Sequence, residues 1–258
     1  MNMIVCIKQV PAADKVKVDP RTGTLSRDGV PSIINPEDKN ALEEAIRIRE
    51  SRGGKVAVIS MGPIQAEEAL REALSMGADE GILLSDKKFA GSDTWATAKA
   101  LSAAIKTIGE YDLILCGRQA IDGETAQVGP ELAESLAIAQ ITYAQKIRLE
   151  DNKAVVEREL EDGYEVIEAE LPALVTCTES LNEPRKVTLE GIDRAFEKQI
   201  RIWDAKHIGV KDSDIGLENS PTVVKRTFNA QARGQGTMMK GSASQMASEL
   251  VKILREKV

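Results

Sequence analysis

A polar loop, Cys116 to Pro130, has the residue types and spacing of a nucleotide-binding loop. It follows the apolar run Tyr111–Leu115, which is typical of a buried strand, and it precedes Glu131–Ala137, which predicts a helix. Three glycines in the loop let backbone amides approach a phosphate, and the amino end of a helix adds positive potential. The stretch therefore predicts a nucleotide site where a strand meets a helix.

Side chains of the same loop could contact a sugar or a base. Thr125 and Gln127 can donate hydrogen bonds, whereas Asp122 and Glu124 can accept them from a ribose or an adenine amine. The loop is neither a Gly-x-Gly-x-x-Gly fingerprint nor a Walker A sequence. Its chemistry alone fits an ordinary surface loop equally well, so both interpretations stay open.

Composition restricts the class of protein. The chain has 258 residues, enough for one large α/β domain or a domain with an additional segment. A net charge of −7 and an aromatic content of 3% argue against nonspecific nucleic-acid binding, which needs a basic surface. No apolar run reaches the roughly 20 residues of a membrane span, and no signal-peptide pattern opens the sequence. We expect a cytoplasmic protein with no nucleic-acid and no membrane partner.

Cysteine and histidine usage limits the redox and metal chemistry. Cys6, Cys116 and Cys177 are widely spaced and form no Cys-x-x-Cys motif, which predicts reduced thiols. Packing explains them better than redox chemistry, although Cys6 and Cys116 lie beside the predicted pocket. His207 is the only histidine, so a multi-histidine metal site is excluded and we expect no metal.

Strand and helix patterns alternate over the first 140 residues, which predicts βαβ units and a parallel sheet. The predicted strands are Met3–Val10, Lys55–Ser60, Gly81–Leu84 and Leu113–Cys116, and a hairpin joins Val16–Asp19 to Thr24–Arg27 through Pro20–Gly23. The predicted helices begin at Asn35, run over Ile64–Met76, and run from Ser92 to Ile108.

One helix start is unusually well marked. Asn35 is a favourable cap, Pro36 suits the first helical position, and Glu37 and Asp38 place acids in the first turn. Ligands of parallel α/β sheets bind where strand carboxyl ends meet helix starts. We expect the loops after Val10, Ser60 and Cys116 to converge there, with this helix start as a fourth wall.

The pattern changes after about Gln140. Ile147–Leu160 and Tyr164–Leu171 predict a hairpin, Ala173–Thr178 a strand, and Ile192–Gln199 a short helix. Residues 207–241 are polar and aperiodic, which favours an arm lying on a partner. A helix is predicted over Ser242–Val258, with an apolar stripe at Met246, Leu250, Ile253 and Leu254. We therefore expect an α/β domain over 1–206, including a segment at 180–191, followed by a C-terminal arm and helix over 207–258.

With these elements placed, the chain resembles the β subunit of electron transfer flavoprotein over nearly its whole length. The matching landmarks are Val5–Pro11, Asn35–Pro36, Met61–Pro63, Ala73–Asp79, Gly117–Gly129 and Leu181–Arg185. The resemblance implies a heterodimer with an α subunit. It also implies a Rossmann-type fold of the adenine-nucleotide-α-hydrolase kind, with a mainly parallel sheet, β-hairpin additions and a C-terminal arm.

The resemblance also assigns roles to residues. The positions matching the family's nucleotide contacts are Cys6, Asn35, Pro36, Glu37, Asp38, Met61, Gly117, Arg118, Gln119, Ala120, Ile121, Asp122, Gly123, Glu124, Thr125, Ala126, Gln127 and Val128. The positions matching its docking segment for acyl-CoA dehydrogenases are Leu181, Asn182, Glu183, Pro184, Arg185, Lys186, Val187, Thr188 and Leu189. By the same resemblance, Leu189 corresponds to the apolar anchor of that segment. An exposed leucine suits this role, because one buried apolar side chain can dominate a small interface. Inward packing of Leu189 is the alternative.

The family divides by the nucleotide of its β subunit. Simple carriers hold a structural AMP, whereas electron-bifurcating members hold a second FAD that accepts hydride from NADH. Their electrons pass to the α-subunit FAD, then to an acyl-CoA dehydrogenase or enoyl-CoA reductase, and to ferredoxin or flavodoxin. Asp122–Pro130 resembles the bifurcating subgroup, and Gly123 and Ala126 leave room for the larger ligand. The resemblance thus implies a component of an NADH-dependent flavin oxidoreductase, with AMP as the alternative ligand. We expect no catalytic side chain, since the flavin performs the chemistry.

Two other classes share this kind of fold. An ATP pyrophosphatase needs a Ser-Gly-Gly-x-Asp-Ser phosphate loop after the first strand, but this chain has Lys8-Gln9-Val10-Pro11 there. A nucleotide-sensing protein of universal-stress type would need neither the segment Leu181–Leu189 nor a long C-terminal arm. The first class is excluded, and the second remains a rival that co-purification of an α subunit would eliminate.

Overall fold

The computed structural model describes residues 1–12, 17–18, 25–26, 31–225, 236 and 238–256. The strands are β1 Asn2–Cys6, β2 Gln9–Pro11, β3 Lys17–Val18, β4 Leu25–Ser26, β5 Ser32–Ile34, β6 Lys55–Met61, β7 Glu80–Leu84, β8 Leu113–Gly117, β9 Ala139–Glu150, β10 Lys153–Leu160, β11 Gly163–Glu170, β12 Ala173–Cys177 and β13 Ile200–Trp203. The helices are α1 Pro36–Arg52, α2 Glu67–Met76, α3 Thr94–Ile108, α4 Val128–Leu136, α5 Leu189–Glu197 and α6 Ala243–Arg255.

A nine-stranded sheet forms the centre of the fold, in the order β11-β10-β9-β12-β8-β1-β6-β7-β13. The strands from β9 to β13 in that order pair in parallel, whereas β10 pairs antiparallel with both β9 and β11. The predicted α/β fold with a mainly parallel sheet is confirmed. Because the parallel strands point the same way, the carboxyl ends of β1, β6 and β8 meet at one edge.

The sheet is covered on both faces, as its apolar strands require. One core cluster joins the sheet to α1 and α2, with Leu42 and Leu70 fully buried. The other joins the opposite face to α3 and α4, with Ile105 and Leu132 fully buried. Because α3 follows β7 and α4 follows β8, both helices begin at the same edge of the sheet.

Two predicted strand boundaries were wrong. The strand expected over Met3–Val10 ends at Cys6, because the Lys8 N–H donates to the Asp38 carboxylate at 2.7 Å instead of continuing the ladder; β2 then pairs with β5. The strand expected over Ile147–Leu160 is interrupted between β9 and β10 at Asp151, whose φ of 49° suits the left-handed tolerance of aspartate. The predicted β10–β11 hairpin is confirmed. In the N-terminal hairpin β3 and β4 pair, while Pro20–Gly23 lies outside the described residues.

The chain clusters into two compact units. The first contains residues 1–17 and 26–225, so residues 207–225 belong with the α/β fold; the second contains residues 18–25 and 226–258. Within the second unit, α6 begins with a capping box between Ser242 and Gln245, and Leu250 and Leu254 of its apolar stripe are exposed. That residues 207–258 pack on a partner stays a prediction. No helix of the described chain is long and apolar enough to span a membrane.

Candidate functional site

A cavity of about 520 Å³ opens at the edge of the sheet where β1, β6 and β8 end. Its other walls are the loop Gly117–Gly129, the loop after β7 and the first turns of α3 and α4. Both the position and the volume are typical of cofactor sites in α/β folds.

The structure places thirteen of the eighteen predicted nucleotide contacts on this cavity wall. They are Cys6, Asp38, Met61, Gly117, Arg118, Gln119, Ala120, Gly123, Glu124, Thr125, Ala126, Gln127 and Val128. The other five, Asn35, Pro36, Glu37, Ile121 and Asp122, lie behind or beside the wall. The first turn of α1 shows what several of them do.

Asn35 lies at the N-cap position of α1, as predicted, but its side chain has a different role. Its side chain makes no capping bond. Instead, Nδ2 donates to the Gln119 carbonyl at 2.8 Å, and Oδ1 accepts from the Ile121 N–H at 3.0 Å. These two bonds to the cavity loop use the same side-chain amide that a capping bond would need, so Asn35 cannot also cap the helix. Asn35 therefore fixes the backbone of the cavity loop from behind.

Asp38 fastens two strand-end loops together. Oδ1 accepts from the Gly117 N–H at 2.9 Å, and Oδ2 accepts from the Lys8 N–H at 2.7 Å. Burial raises the pKa of Asp38 to about 7, although these donors and Asn35 lower it. Asp38 thus changes charge near neutral pH inside the cavity wall.

Glu37 supports the same loop through Arg118. Its carboxylate accepts from the Gln119 N–H at 3.0 Å and pairs with the Arg118 guanidinium at 2.8 Å. Burial raises the pKa of Glu37, while Gln119 and Arg118 act in the opposite direction. On the rim of the cavity, Lys8 Nζ pairs with the Asp122 carboxylate at 2.6 Å. The loop is therefore held from several sides.

The stretch before α4 presents its backbone amides to the cavity. Glu124 and Ala126 have φ values of 50° and 53°, a left-handed conformation that is rare outside glycine and marks a constrained loop. Gln127 returns to the right-handed region, and a left-to-right alternation of this kind forms an anion-binding nest. Among the described residues, no protein group accepts from the N–H groups of residues 125–129. These donors suit a diphosphate.

The three loop glycines have different reasons to lack a side chain. A Cβ on Gly117 would lie 2.9 Å from the Asp38 backbone nitrogen and still closer to its carboxylate, and one on Gly129 would lie 2.6 Å from Thr176 Cγ2. A Cβ on Gly123 would meet nothing within 4 Å. Two glycines therefore permit close packing within the protein, and only Gly123 faces open space.

Two thiols form part of the cavity wall. Cys6 and Cys116 are register partners on β1 and β8, and both are buried. Burial, with a smaller effect of Asp38, raises the pKa of Cys6 to about 12, and burial raises the pKa of Cys116 well above its usual value. Both side chains therefore remain neutral thiols, as does Cys177, whose pKa burial also raises. This agrees with the packing role expected from the sequence.

One wall of the cavity was not predicted from the sequence. The loop after β7, the first turns of α3 and a late segment contribute Phe89, Gly91, Ser92, Asp93, Thr94, Thr97, Leu101, Thr222 and Val224, and Lys8 and Leu132 were also missed. The strand-end rule that selected the loops after β1, β6 and β8 applies equally to β7 and would have found the first seven. No local signal connects Thr222 and Val224 to the site.

The predicted docking segment lies away from this cavity, along α1. Leu189 is the first residue of α5 and is 87% exposed, so the inward-packing alternative is wrong; Val187 is also exposed. The helix starts three residues earlier than predicted because the Thr188 hydroxyl caps it, accepting from the Gly191 N–H at 3.0 Å.

Polar groups tie the front of the docking segment to α1. The Arg185 guanidinium donates to Glu43 at 2.8 and 3.1 Å and to Glu50 at 2.6 and 3.0 Å. Asn40 Nδ2 donates to the Asn182 carbonyl at 2.7 Å, and Asn182 Nδ2 donates to the Asn40 carbonyl at 3.0 Å. The hydrogen bonds that Arg185 donates to Glu50 and Glu43 raise its pKa further. The segment is thus pre-formed on the helix that also holds the cavity loops.

Comparisons with known proteins agree with this arrangement. The family model described as electron transfer flavoprotein domain matches residues 22–208. The chain is 54% identical to the electron transfer flavoprotein subunit beta of Thermoanaerobacterium thermosaccharolyticum and 52% identical to the caffeyl-CoA reductase-Etf complex subunit CarD of Acetobacterium woodii. It is 43% identical to the acryloyl-CoA reductase electron transfer subunit gamma of Anaerotignum propionicum. Each match covers 100% of this chain and 99% of the relative.

Proposed function

The chain belongs to the β-subunit family of electron transfer flavoproteins, and from that premise we propose that it is the FAD-binding β subunit of an electron-bifurcating complex. Its cavity takes an FAD that accepts hydride from NADH, in a cytoplasmic heterodimer with an α subunit. The similarity to subunits of a caffeyl-CoA reductase-Etf complex and of an acryloyl-CoA reductase supports a partner enzyme that acts on an acyl-CoA or enoyl-CoA.

The observation that carries this proposal is the cavity with its free backbone donors. The N–H groups of residues 125–129, at the start of α4, lie on a wall that continues to the first turn of α3. Donors without protein acceptors stabilise an anion such as a diphosphate. The cavity volume of about 520 Å³ lies in the range of cofactor sites.

Different residues of the cavity would have different roles in binding FAD. The backbone of Gly123–Val128 would hold the diphosphate, and Cys6 and Met61 would contact the adenosine portion on the apolar side of the cavity. Asn35, Glu37 and Asp38 hold the loop in shape from behind. No side chain of the cavity is required as an acid, base or nucleophile.

When bound, FAD supplies hydride acceptance from NADH and the division of its electrons between the α-subunit FAD and a ferredoxin or flavodoxin. The chain contributes position and electrostatics. The neutral thiols of Cys6 and Cys116 keep one wall apolar, while the amides before α4 keep another positive.

The exposed segment Val187–Leu189 is proposed to dock the acyl-CoA dehydrogenase-type or enoyl-CoA reductase-type flavoenzyme. An apolar side chain that is 87% exposed on a pre-formed support is suited to a partner's pocket. Leu189 would enter that pocket, and Arg185 would hold the segment in register on α1.

The nucleotide content of the complex tests the proposal. The chain is co-expressed with its α partner, the heterodimer is denatured, and the released nucleotides are quantified per heterodimer. Two FAD and no AMP is the expected result. One FAD and one AMP would make this chain the β subunit of a simple carrier and would end the bifurcation proposal.

A loop variant tests the position of the FAD. Thr125→Glu combined with Ala126→Glu places bulk and negative charge beside the free amides, where it should lower the second FAD without changing the first. Val166→Glu is the control for added negative charge, since Val166 is exposed on β11 and does not line the cavity. Unchanged flavin content in the double variant would contradict the placement.

A further inference from the structure

The strap, residues Gly216–Val224, brings a late part of the chain to the nucleotide cavity. Thr222 and Val224 line the cavity beside the first turn of α3. Two short 3-10 turns precede these residues, and neither the sheet nor a long helix contains them. This part of the wall is therefore held by individual hydrogen bonds and not by a sheet or a helix.

The main contact is made by one carboxylate. Asp93 Oδ2 accepts from both the N–H and the hydroxyl of Thr222, each at 2.8 Å. Asp93 Oδ1 accepts from the Ala96 N–H at 3.0 Å and so caps α3, while the Asp93 N–H donates to the Ser220 hydroxyl at 2.9 Å. Hydrogen bonds to an ionised acceptor are stronger than neutral ones. Asp93 thus joins α3 and the strap at the cavity rim.

The upstream end of the strap is attached separately. The Gly216 N–H donates to the Ser92 hydroxyl at 2.9 Å, and the Leu217 N–H donates to the Ala90 carbonyl at 3.2 Å. After Thr222 the attachments end: within residues 223–225, as the structure describes them, no hydrogen bond reaches another element, and Val224 is 78% exposed. Release of Thr222 would therefore free the cavity wall without detaching the whole strap.

We propose that Asp93 is a positioning residue that fastens the strap as a gate of the nucleotide cavity, so that the Asp93–Thr222 contact sets how fast an adenine nucleotide is taken up and released. The inference rests on the proposed function in taking this cavity as the nucleotide site. It assigns a kinetic role to a residue outside the phosphate loop.

Four variants separate the gate from the fold. Asp93→Asn keeps a good helix cap but turns an NH₂ group toward the two Thr222 donors, so it should break the contact while α3 stays capped. Thr222→Val removes only the hydroxyl donor, and Thr222→Ser restores it. Asp86→Asn is the matched control, because Asp86 caps a turn of the same loop and accepts from Ala205 without lining the cavity.

The experiment measures nucleotide release from the purified heterodimer, followed by the recovery of FAD fluorescence after dilution. Loss of a hydrogen bond to a charged group should speed release about tenfold in Asp93→Asn. A smaller increase is expected in Thr222→Val, and wild-type rates in Thr222→Ser and Asp86→Asn. Uptake by the apo complex should accelerate in parallel, which a merely destabilised fold would not produce.

Wild-type release rates in both Asp93→Asn and Thr222→Val would overturn the gate. If Asp93→Asn fails to fold, the Thr222→Val and Thr222→Ser pair decides alone. If the wild-type complex releases AMP in place of a second FAD, the proposed function fails, and the same four rates measured for AMP still decide whether the strap is a gate.

Discussion

The cavity loop and the docking segment are both fastened to α1, but in opposite ways. In the loop Gly117–Gly129, side chains from the start of α1 bind the outer backbone, and the N–H groups of residues 125–129 have no acceptor among the described residues. In the docking segment, backbone and polar side chains are bound to α1, and the exposed apolar side chains are Val187 and Leu189. One region presents polar donors, the other apolar side chains.

This difference shows how one helix can prepare two kinds of binding. A phosphate is recognised by backbone N–H groups, which must be held in place but must not already donate to a protein acceptor. A transient protein partner is recognised by apolar surface, which binds more tightly when its support is already ordered. Under the proposed function, the first turn of α1 would support phosphate binding, and residues 40–50 would support partner docking.

The largest effect is expected where the cavity loop meets α1. Gly117→Ala places a Cβ against the backbone and carboxylate of Asp38, so the loop or the helix start must shift. Overpacking of this kind should cost about 1–3 kcal/mol of unfolding free energy and remove the bound nucleotide. Denaturant unfolding and nucleotide content measure both. Gly163→Ala at the start of β11, where a Cβ meets nothing within 4 Å, should change neither, and equal behaviour of the two variants would show that the loop does not depend on this contact.

The second effect concerns the support of the docking segment. Arg185→Leu leaves the buried Glu43 carboxylate with Arg47 and the backbone N–H of residue 185 as its remaining partners, and it should destabilise the protein by about 1–2 kcal/mol. It should also raise the KM of the partner flavoenzyme for the complex, because the segment must be ordered during docking.

The control for this change is Arg194→Leu, which breaks an exposed pair with Glu190 on α5 and should cost almost nothing. If Arg185→Leu lowers stability but leaves the KM unchanged, Arg185 does not prepare the segment for docking.

The third effect should appear in docking alone. Leu189→Ala removes an exposed side chain, so stability should stay constant while the KM for the partner flavoenzyme rises about tenfold. Val166→Ala on β11, which is also exposed, is the control. An unchanged KM in Leu189→Ala would move the docking site elsewhere on the surface.

The smallest effect is a pH dependence of the cavity. Because burial raises the pKa of Asp38 to about 7, its carboxyl is neutral below that pH and negative above it. A negative group in the wall repels a diphosphate, so FAD affinity should weaken a few fold between about pH 6 and pH 8. The affinity of Asp38→Asn should be constant over this range. Asp86→Asn should keep the wild-type profile, since hydrogen bonds, first that from Lys88, lower the pKa of Asp86 and keep it charged throughout. A flat wild-type profile would contradict the assignment.

Much of this molecule could be predicted from local sequence patterns. Apolar runs separated by capped helices indicated the parallel sheet, and the polar loop after β8 indicated the cavity. Asn35 was correctly placed but wrongly explained, because a side chain that could cap its own helix instead bonds to residues more than 80 positions away. Residue propensity describes how often asparagine caps its own helix, but it carries no information about bonds to residues that are distant in the sequence.

Two structural features that were not predicted, the turn at Asp151 and the contact of Thr222 with the cavity, also lack a local sequence signal. The turn at Asp151 contains no glycine or proline, so β9 and β10 appeared as one strand. Thr222 reaches the cavity only through Asp93, 129 residues earlier. Contacts over such distances depend on the folded sheet, which brings β7 and the late segment together.

The free thiols of Cys6 and Cys116, which are register partners on β1 and β8, affect how the protein resists oxidation. Peroxide attacks thiolates far faster than thiols. Burial keeps both sulfurs protonated by raising their pKa values. The cavity wall should therefore resist oxidation to sulfenic acid for as long as the sheet stays folded, so sulfur can line the cavity without being readily oxidised.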